Sequence, residues 1–300
     1  MVRRRTVFLG AIAVLGSSVL LGQYANEGFA NPEGPDTLRF AVTDVVGLEE
    51  LQRDFGPFKA ALEDVTGKPV EFFPVADRAA AAVALQTDAV DVVLAGPAEY
   101  VVLRARTNAE PLVGITRPKY RSVIAVPAEA TIDSLEQLPG NTLALSDIGS
   151  TSGHLGPSVI LAEAGIDPLS DLDVLMLGDA DLQALKNGDV DAWGGSLIDY
   201  ERFIESEGAS ADEYPIIETG DMLPNDVFMA SDDLAPEYID LLVEQMYEGQ
   251  GQLIEAIVSV SSNAKYIGSE IVPAEDEDYD SIRLAYQAVG VEEFSEFIGE

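Results

Sequence analysis

Short apolar runs alternate with helical patterns through most of the 300-residue chain, and few folds are compatible with this alternation. Val90–Ala95 predicts a buried strand, since Gly96 and Pro97 end it at once. Thr37–Thr43 and Thr142–Ser146 have the same character, and a helical pattern follows each of them. Because such alternation favours helices packed on mostly parallel sheets, we predict an α/β fold.

The first long helical pattern contains an expected interruption. Apolar residues recur every three or four positions between Leu48 and Leu62, which predicts a helix with one buried face. Gly56 and Pro57 lie in the middle of this pattern. Because proline has no amide N–H and its ring crowds the preceding turn, we expect the helix to break there.

The charge balance excludes several classes of function. Asp and Glu number 53 against 17 Lys and Arg, and the formal net charge is −36 at pH 7. Binding to nucleic acid or to anionic lipid needs a basic surface, so we expect neither. Only five of the 17 basic residues are lysine, a pattern that suits a protein working at high salt. An ordinary acidic soluble protein is the alternative.

Cysteine and histidine counts limit the chemistry further. The chain has no cysteine and one histidine. Disulfides, thiolate catalysis, cysteine-ligated zinc and sites with several histidine ligands are therefore excluded. We expect neither a metal nor a cofactor.

The N-terminus has the order of a secretory signal peptide. Three arginines at Arg3–Arg5 precede an apolar stretch from Val7 to Gly22, and small residues flank Phe29 where a signal peptidase would cut. We predict a signal over residues 1–30, possible twin-arginine export, a linker over 31–35 and an extracytoplasmic location. An uncleaved membrane anchor is the alternative.

The most informative segment is Ser146–Ser158, with the sequence SDIGSTSGHLGPS. It follows a predicted strand and opens a predicted helix. Ser150, Thr151 and Ser152 provide three hydroxyls beside the first N–H groups of that helix, which have no partner within it. Hydroxyls and free N–H groups at a helix N-terminus favour a tetrahedral oxyanion. Simple capping by serine or threonine is the alternative.

With these residues in place, the sequence resembles the phosphate, phosphite and phosphonate substrate-binding proteins of ABC importers. The resemblance runs from about residue 37 to about residue 290. Gly149–Leu155 (GSTSGHL) is its most specific part. The other matching pieces are Phe58–Val70, Val90–Tyr100, Tyr120–Ser122, Asp133–Gly140, Ala164–Pro168, Gly188–Ala192 and Leu223–Asp226.

The resemblance implies the periplasmic type II binding fold, with two α/β lobes and a ligand cleft between them. The first lobe is expected to comprise residues 36–118 and 226–300, and the second residues 119–225. It also implies a monomer that delivers a small oxyanion to a membrane permease and its ATPase, without catalysis.

The resemblance carries over some site residues directly. Ser150, Thr151 and Ser152, with Gly153, are expected to hold the ligand oxygens. Tyr100 and Tyr120 are expected to line the cleft.

Two departures from the family pattern bear on the ligand. Ser196 stands where relatives often carry Asp or Asn, which weakens the case for a ligand with an amine. Arg78 stands where relatives often carry Tyr, and it suits a bare dianion unless it is a surface residue paired with Asp. We therefore expect phosphate, phosphite or a small alkylphosphonate.

Other residues leave alternatives open. His154 is either a neutral donor to the ligand or a residue of the helix face without a ligand role. Trp193, Tyr200 and Phe203 either close the cleft or pack in the second lobe. A hydrolase using Ser152 and His154 is disfavoured, because residues two apart at a helix start point in different directions. A different oxyanion or a phosphorylated small molecule is the main alternative ligand.

Overall fold

The computed structural model describes residues 34–77 and 80–291. In chain order the strands are β1 Leu38–Val42, β2 Val70–Phe72, β3 Val92–Ala95, β4 Glu110–Ile115, β5 Arg121–Ala125, β6 Thr142–Leu145, β7 Asp173–Met176, β8 Ala192–Ser196, β9 Ile216–Met222, β10 Asp226–Ala230 and β11 Ile271–Val272. The helices are α1 Leu48–Thr66, α2 Ala80–Gln86, α3 Pro97–Arg106, α4 Gly156–Glu163, α5 Asp181–Asn187, α6 Leu197–Glu207, α7 Pro236–Glu248, α8 Gln250–Val258 and α9 Asp280–Ala288.

The strands form two sheets with helices packed against them. The first sheet has the order β11-β4-β10-β3-β1-β2, and the second has the order β7-β6-β8-β5-β9. The two-lobed α/β prediction is confirmed. Pairing is less parallel than predicted, however. β10 pairs antiparallel with β3 and β4, and β5 pairs antiparallel with β8 and β9. In each sheet, therefore, one reversed strand makes the pairs on both of its sides antiparallel.

The chain passes between the sheets twice. Residues 116–120 connect β4 of the first sheet to β5 of the second, and residues 223–225 connect β9 of the second sheet to β10 of the first. The two connections are bonded to each other, since the Leu223 amide donates to the Tyr120 carbonyl over 2.8 Å. The lobe boundaries given above stay a prediction.

The expected break in α1 is wrong. The helix continues from Leu48 to Thr66 with Pro57 inside it. Pro57 and Arg53 both lie on the exposed face, so water can reach the carbonyl that the missing N–H leaves without a partner. Phe55 and Phe58, on the opposite face, are buried in the core. Burial of that face outweighs the local cost of proline, and Gly67 ends the helix with a left-handed φ of 66°.

The segment that leads into α4 packs into the core around the first sheet. Leu155 lies just before α4 and is fully buried. It belongs to the same apolar cluster as Tyr100, Tyr279 and Tyr286, which come from α3 and the C-terminal part of the chain. This contact ties the start of the α4 helix to the first sheet.

The N-terminal predictions fall largely outside the described residues. The signal peptide over 1–30 lies wholly outside them, as do residues 31–33 of the linker. Within the part of the chain that is described, no helix combines the length and the apolar character that crossing a bilayer requires.

Truncating Leu155 is expected to destabilise the protein. Leu155→Ala removes a buried side chain from the contact between the lobes, and a loss of about 2–5 kcal/mol in the free energy of unfolding is expected. Urea unfolding monitored by circular dichroism measures this loss. Leu169→Ala is the matched control, since Leu169 is 65% exposed. Equal stability of the two variants would contradict the packing role of Leu155.

Candidate functional site

Three junctions between a strand and a helix meet at a cleft between the sheets. They follow β3, β6 and β8, where the carboxyl ends of parallel strands place the starts of the next helices. The cleft encloses about 230 Å³, which is below the roughly 300–1,000 Å³ typical of sites for drug-sized ligands. Its lining includes Gly96, Ser146, Ser150, Thr151, Ser152 and Ser196. The cleft therefore has a size that suits a small molecule.

The turn after β6 owes its shape to two glycines. Gly149 has a φ of 80°, a left-handed conformation that suits glycine. At Gly153 a Cβ atom would lie 2.5 Å from the Cβ of Ser146, so a larger residue would force the turn apart. Between them Ser150 begins a wide π-helical turn over Thr151–Leu155, which runs directly into α4. Such turns are often found at functional sites.

The hydroxyls predicted to hold the ligand have different partners. Ser150 Oγ accepts from the Gly153 amide over 3.2 Å, so it does cap its own helix. Thr151 Oγ1 accepts from the Ala98 amide at the start of α3 over 3.0 Å, which joins the two lobes. Ser196 Oγ accepts from the Ile198 amide over 3.2 Å and caps α6.

Ser152 differs from these three residues. Within the described part of the chain, no hydrogen bond occupies its hydroxyl, its amide N–H or the amide N–H of Thr151. Its carbonyl accepts from the hydroxyl of Ser122 over 2.9 Å, which fixes the start of the helix against β5. Ser152 is only 8% exposed and lines the cleft. The donors at this helix start are therefore oriented and available.

A second cavity of about 260 Å³ adjoins the first and shares Ser146, Ser150, Ser152 and Ser196 with it. Gly153 lines this second cavity. Trp193 also reaches it but is 1% exposed. Tyr200 and Phe203 are buried as well, which agrees with packing in the second lobe.

Arg117 and Asp226 were not predicted from the sequence as site residues. Arg117 lies on the first connection between the sheets, and Asp226 begins β10 directly after the second. Both line the cleft, and their side chains form an ion pair of 3.3 Å. The predicted cleft residue Tyr120 lies beneath this pair, with its ring centroid 3.5 Å from the Arg117 guanidinium carbon. Leu223–Asp226 was noted only as a family match, and nothing local marked Arg117.

Electrostatically, the cleft is mixed rather than basic. Burial alone would lower the pKa of Arg117, but the charge of Asp226 raises it, so the guanidinium stays charged. Lys265 pairs with Asp44 over 2.6 Å on the same lining. The carboxylates around the cleft are Asp44, Glu99, Asp147, Asp179, Asp199 and Asp226. Among the residues described, no cluster of three or more acidic or histidine side chains is arranged to hold a metal ion.

Two predicted site residues lie away from the cleft lining. Tyr100 is fully buried, donates its hydroxyl to Asp276 over 2.7 Å and contacts the ring of Tyr279. His154 accepts from the Gly149 amide at Nδ1 over 3.0 Å, and its ring borders a separate apolar cavity with Leu145 and other residues. His154 thus holds the turn at Gly149, whereas Tyr100 packs in the core around the first sheet. Arg78 lies outside the described residues.

Residues 40–279 match the model of a family described as ABC transporter, phosphonate, periplasmic substrate-binding protein. The chain belongs to this family. Its members are the substrate-binding proteins of ABC phosphonate importers and are not enzymes. They present small ligands to a permease and an ATPase.

Individual proteins are similar to this chain in sequence or in fold. The Phosphate-import protein PhnD of Mycolicibacterium smegmatis is 27% identical, and the alignment covers 94% of this chain and 96% of that protein. Among solved structures, PhnD1 from Prochlorococcus marinus in complex with methylphosphonate is 18% identical, with a TM-score of 0.65 and coverages of 85% and 98%. The aliphatic sulphonate binding protein SsuA from Escherichia coli is 16% identical, with a TM-score of 0.58 and coverages of 89% and 92%. Both structures confirm the fold.

The state of His154 leads to a direct test. Burial lowers the pKa of His154 from 6.5 to about 4. The unfolded chain takes up this proton near pH 6.5, so the contribution of His154 reduces stability as the pH falls from about 6.5 towards 4 and is absent above that range. Since the chain has one histidine, an NMR titration of its ring signal in untagged protein measures the pKa. A midpoint near 6.5 would contradict the buried, hydrogen-bonded position.

Proposed function

We propose that the ligand of this importer component is a small phosphorus oxyanion: phosphate, phosphite or a small alkylphosphonate. The observation that carries this proposal is the start of the helix at Thr151. There, the amides of Thr151 and Ser152 and the hydroxyl of Ser152 have no partner among the described residues and border the cleft. Three such donors beside the positive end of a helix suit a tetrahedral anion.

Local donors must overcome the negative charge of the protein as a whole. Hydrogen bonds to a charged group contribute about 1.5–3 kcal/mol each, and micromolar binding needs about 8 kcal/mol. The three donors at the helix start together with a guanidinium from Arg117 reach this range in a small cleft. Salt screens the long-range repulsion from surface carboxylates but affects short contacts inside the cleft much less.

A second candidate ligand is a zwitterionic aminoalkylphosphonate. From the sequence, a ligand with an amine was disfavoured because Ser196 takes the place of an acidic residue. Asp179 and Asp199, however, line the same two cavities as Ser196. An ammonium group could therefore find a carboxylate partner even without an acidic residue at position 196, and the ligand panel below includes such a compound.

The geometry gives no support to hydrolysis. A serine nucleophile needs a base within hydrogen-bond reach. Ser152 borders the cleft, whereas the His154 ring borders the separate apolar cavity with Nδ1 engaged by Gly149. We infer a binding protein without turnover, exported by its N-terminal signal and acting as a monomer outside the cytoplasm.

Transport also needs a change that the permease can recognise. The predicted lobes, 36–118 with 226–300 and 119–225, would close on the ligand through the two connecting segments. Ligand contacts from both lobes would stabilise the closed form, which is a shift of population. The Thr151–Ala98 hydrogen bond between the lobes supports this arrangement.

Isothermal titration calorimetry tests the ligand class directly. The purified protein, stripped of bound ligand, is titrated in molar salt with phosphate, phosphite, methylphosphonate, 2-aminoethylphosphonate and sulfate. Micromolar or tighter binding of one phosphorus compound is expected, with sulfate much weaker. Preference for sulfate, or no binding to any compound by demonstrably folded protein, would contradict the proposal.

Removing the Ser152 hydroxyl tests the helix start. Ser152→Ala is expected to weaken binding of the preferred compound by roughly tenfold or more, since one hydrogen bond to a charged group is lost. The fold should persist, because that hydroxyl has no partner among the described residues. Ser206→Ala, on the exposed side of α6, is the control. Unchanged affinity in Ser152→Ala would leave the segment as a helix cap only.

A further inference from the structure

Among the described residues that line the cleft, Arg117 is the least exposed cationic side chain. Its side chain is 12% exposed, against 47% for Arg202 and 18% for Lys265, which line the same cavity. The guanidinium lies over the Tyr120 ring, and Tyr120 is itself 3% exposed. Stacking and burial therefore fix the orientation of Arg117 before any ligand arrives.

The guanidinium is only partly satisfied. One Nη donates to Asp226 over 3.3 Å. Nε is buried and has no hydrogen-bond partner among the described residues. Buried donors nearly always have an acceptor, and an arginine presents its N–H groups in a fixed fork that matches an oxyanion. Nε is therefore an unused donor on a residue that lines the cleft.

Asp226 is the counter-ion of this arginine. Its carboxylate is 2% exposed and accepts from the Tyr266 hydroxyl over 2.6 Å as well as from Arg117. A buried guanidinium without such a partner would be strongly disfavoured. The same negative charge also opposes any anion that approaches Arg117, so Asp226 both stabilises the protein and lowers its affinity for anions.

We propose that Arg117 is the residue that recognises the charge of the oxyanion, and that Asp226 is the counter-ion that positions it and moderates its affinity. This assignment rests on the proposed function and names a residue of the same site. Ligand oxygens accept from the Arg117 guanidinium, while Asp226 keeps its own contacts. Since Arg117 lies on the first connection between the sheets and Asp226 directly follows the second, the ligand binds where both connections meet.

The two residues predict opposite effects on binding, which separates this proposal from a purely structural role. In calorimetry with phosphate, phosphite and methylphosphonate, Arg117→Gln is expected to weaken binding by roughly 10- to 100-fold, and Arg117→Lys by less because the charge remains. Asp226→Asn is expected to bind several-fold more tightly, with a lower melting temperature in the absence of ligand. Arg53→Gln removes an exposed arginine that also pairs with an aspartate but lies outside the cleft lining, so it is the control and should stay close to wild type.

Each result decides between readings. If wild type binds a compound and Arg117→Gln binds it equally well, the assignment of Arg117 is overturned while the proposed function stands. If Asp226→Asn weakens binding, Asp226 contacts the ligand itself and its role as counter-ion is overturned. If wild type binds none of the three compounds, the proposed function fails and this assignment fails with it. Should Arg117→Gln not fold, the comparison of Arg117→Lys with Asp226→Asn still tests the opposite signs.

Discussion

The two connections between the sheets, and the bonds that hold them together, are what the site depends on. The Leu223 amide bonds to the Tyr120 carbonyl, and Arg117 pairs with Asp226 just beyond. These contacts bring the two connections side by side. Each connection leads into a reversed strand, β5 or β10, and that strand lies in the interior of its sheet. The cleft lies where the two connections meet, so its shape follows from this pairing.

A strongly acidic chain can bind an anion only if neighbouring groups offset the repulsion from its carboxylates at the binding site. Lys265 and Arg117 neutralise Asp44 and Asp226 at short range inside the cleft. The uncharged donors, amides and hydroxyls, attract an anion at contact distance without adding net positive charge. Recognition at short range can therefore outweigh the negative field of the protein. The donors act over about 3 Å, whereas the repulsion from surface charge is screened over the Debye length.

Structural features that depend on neighbouring residues were predicted from local sequence patterns. The other features depend on contacts between residues far apart in the sequence. The turn at Gly149–Leu155 follows from glycines and hydroxyls that lie together in the sequence. Tyr100 was expected in the cleft because its motif matched, but its hydroxyl bonds to Asp276, 176 positions away. Pro57 was expected to end a helix, but burial of the opposite face prevailed. Arg117 could not be identified locally, since its partner Asp226 lies 109 positions away in the sequence.

The hydroxyls at the helix starts show why capping and ligand binding need not be alternatives. Ser150 and Ser196 cap their own helices, and Thr151 caps the start of α3 across the cleft. The Thr151 hydroxyl also bonds to the side chain of Tyr120. Ser150 and Ser196 each accept one N–H bond and still have a proton to donate. A hydroxyl can therefore satisfy a helix terminus and hold a ligand oxygen at the same time. Thr151 makes its cap between the lobes, so a ligand oxygen at Thr151 would couple ligand recognition to the contact with Ala98.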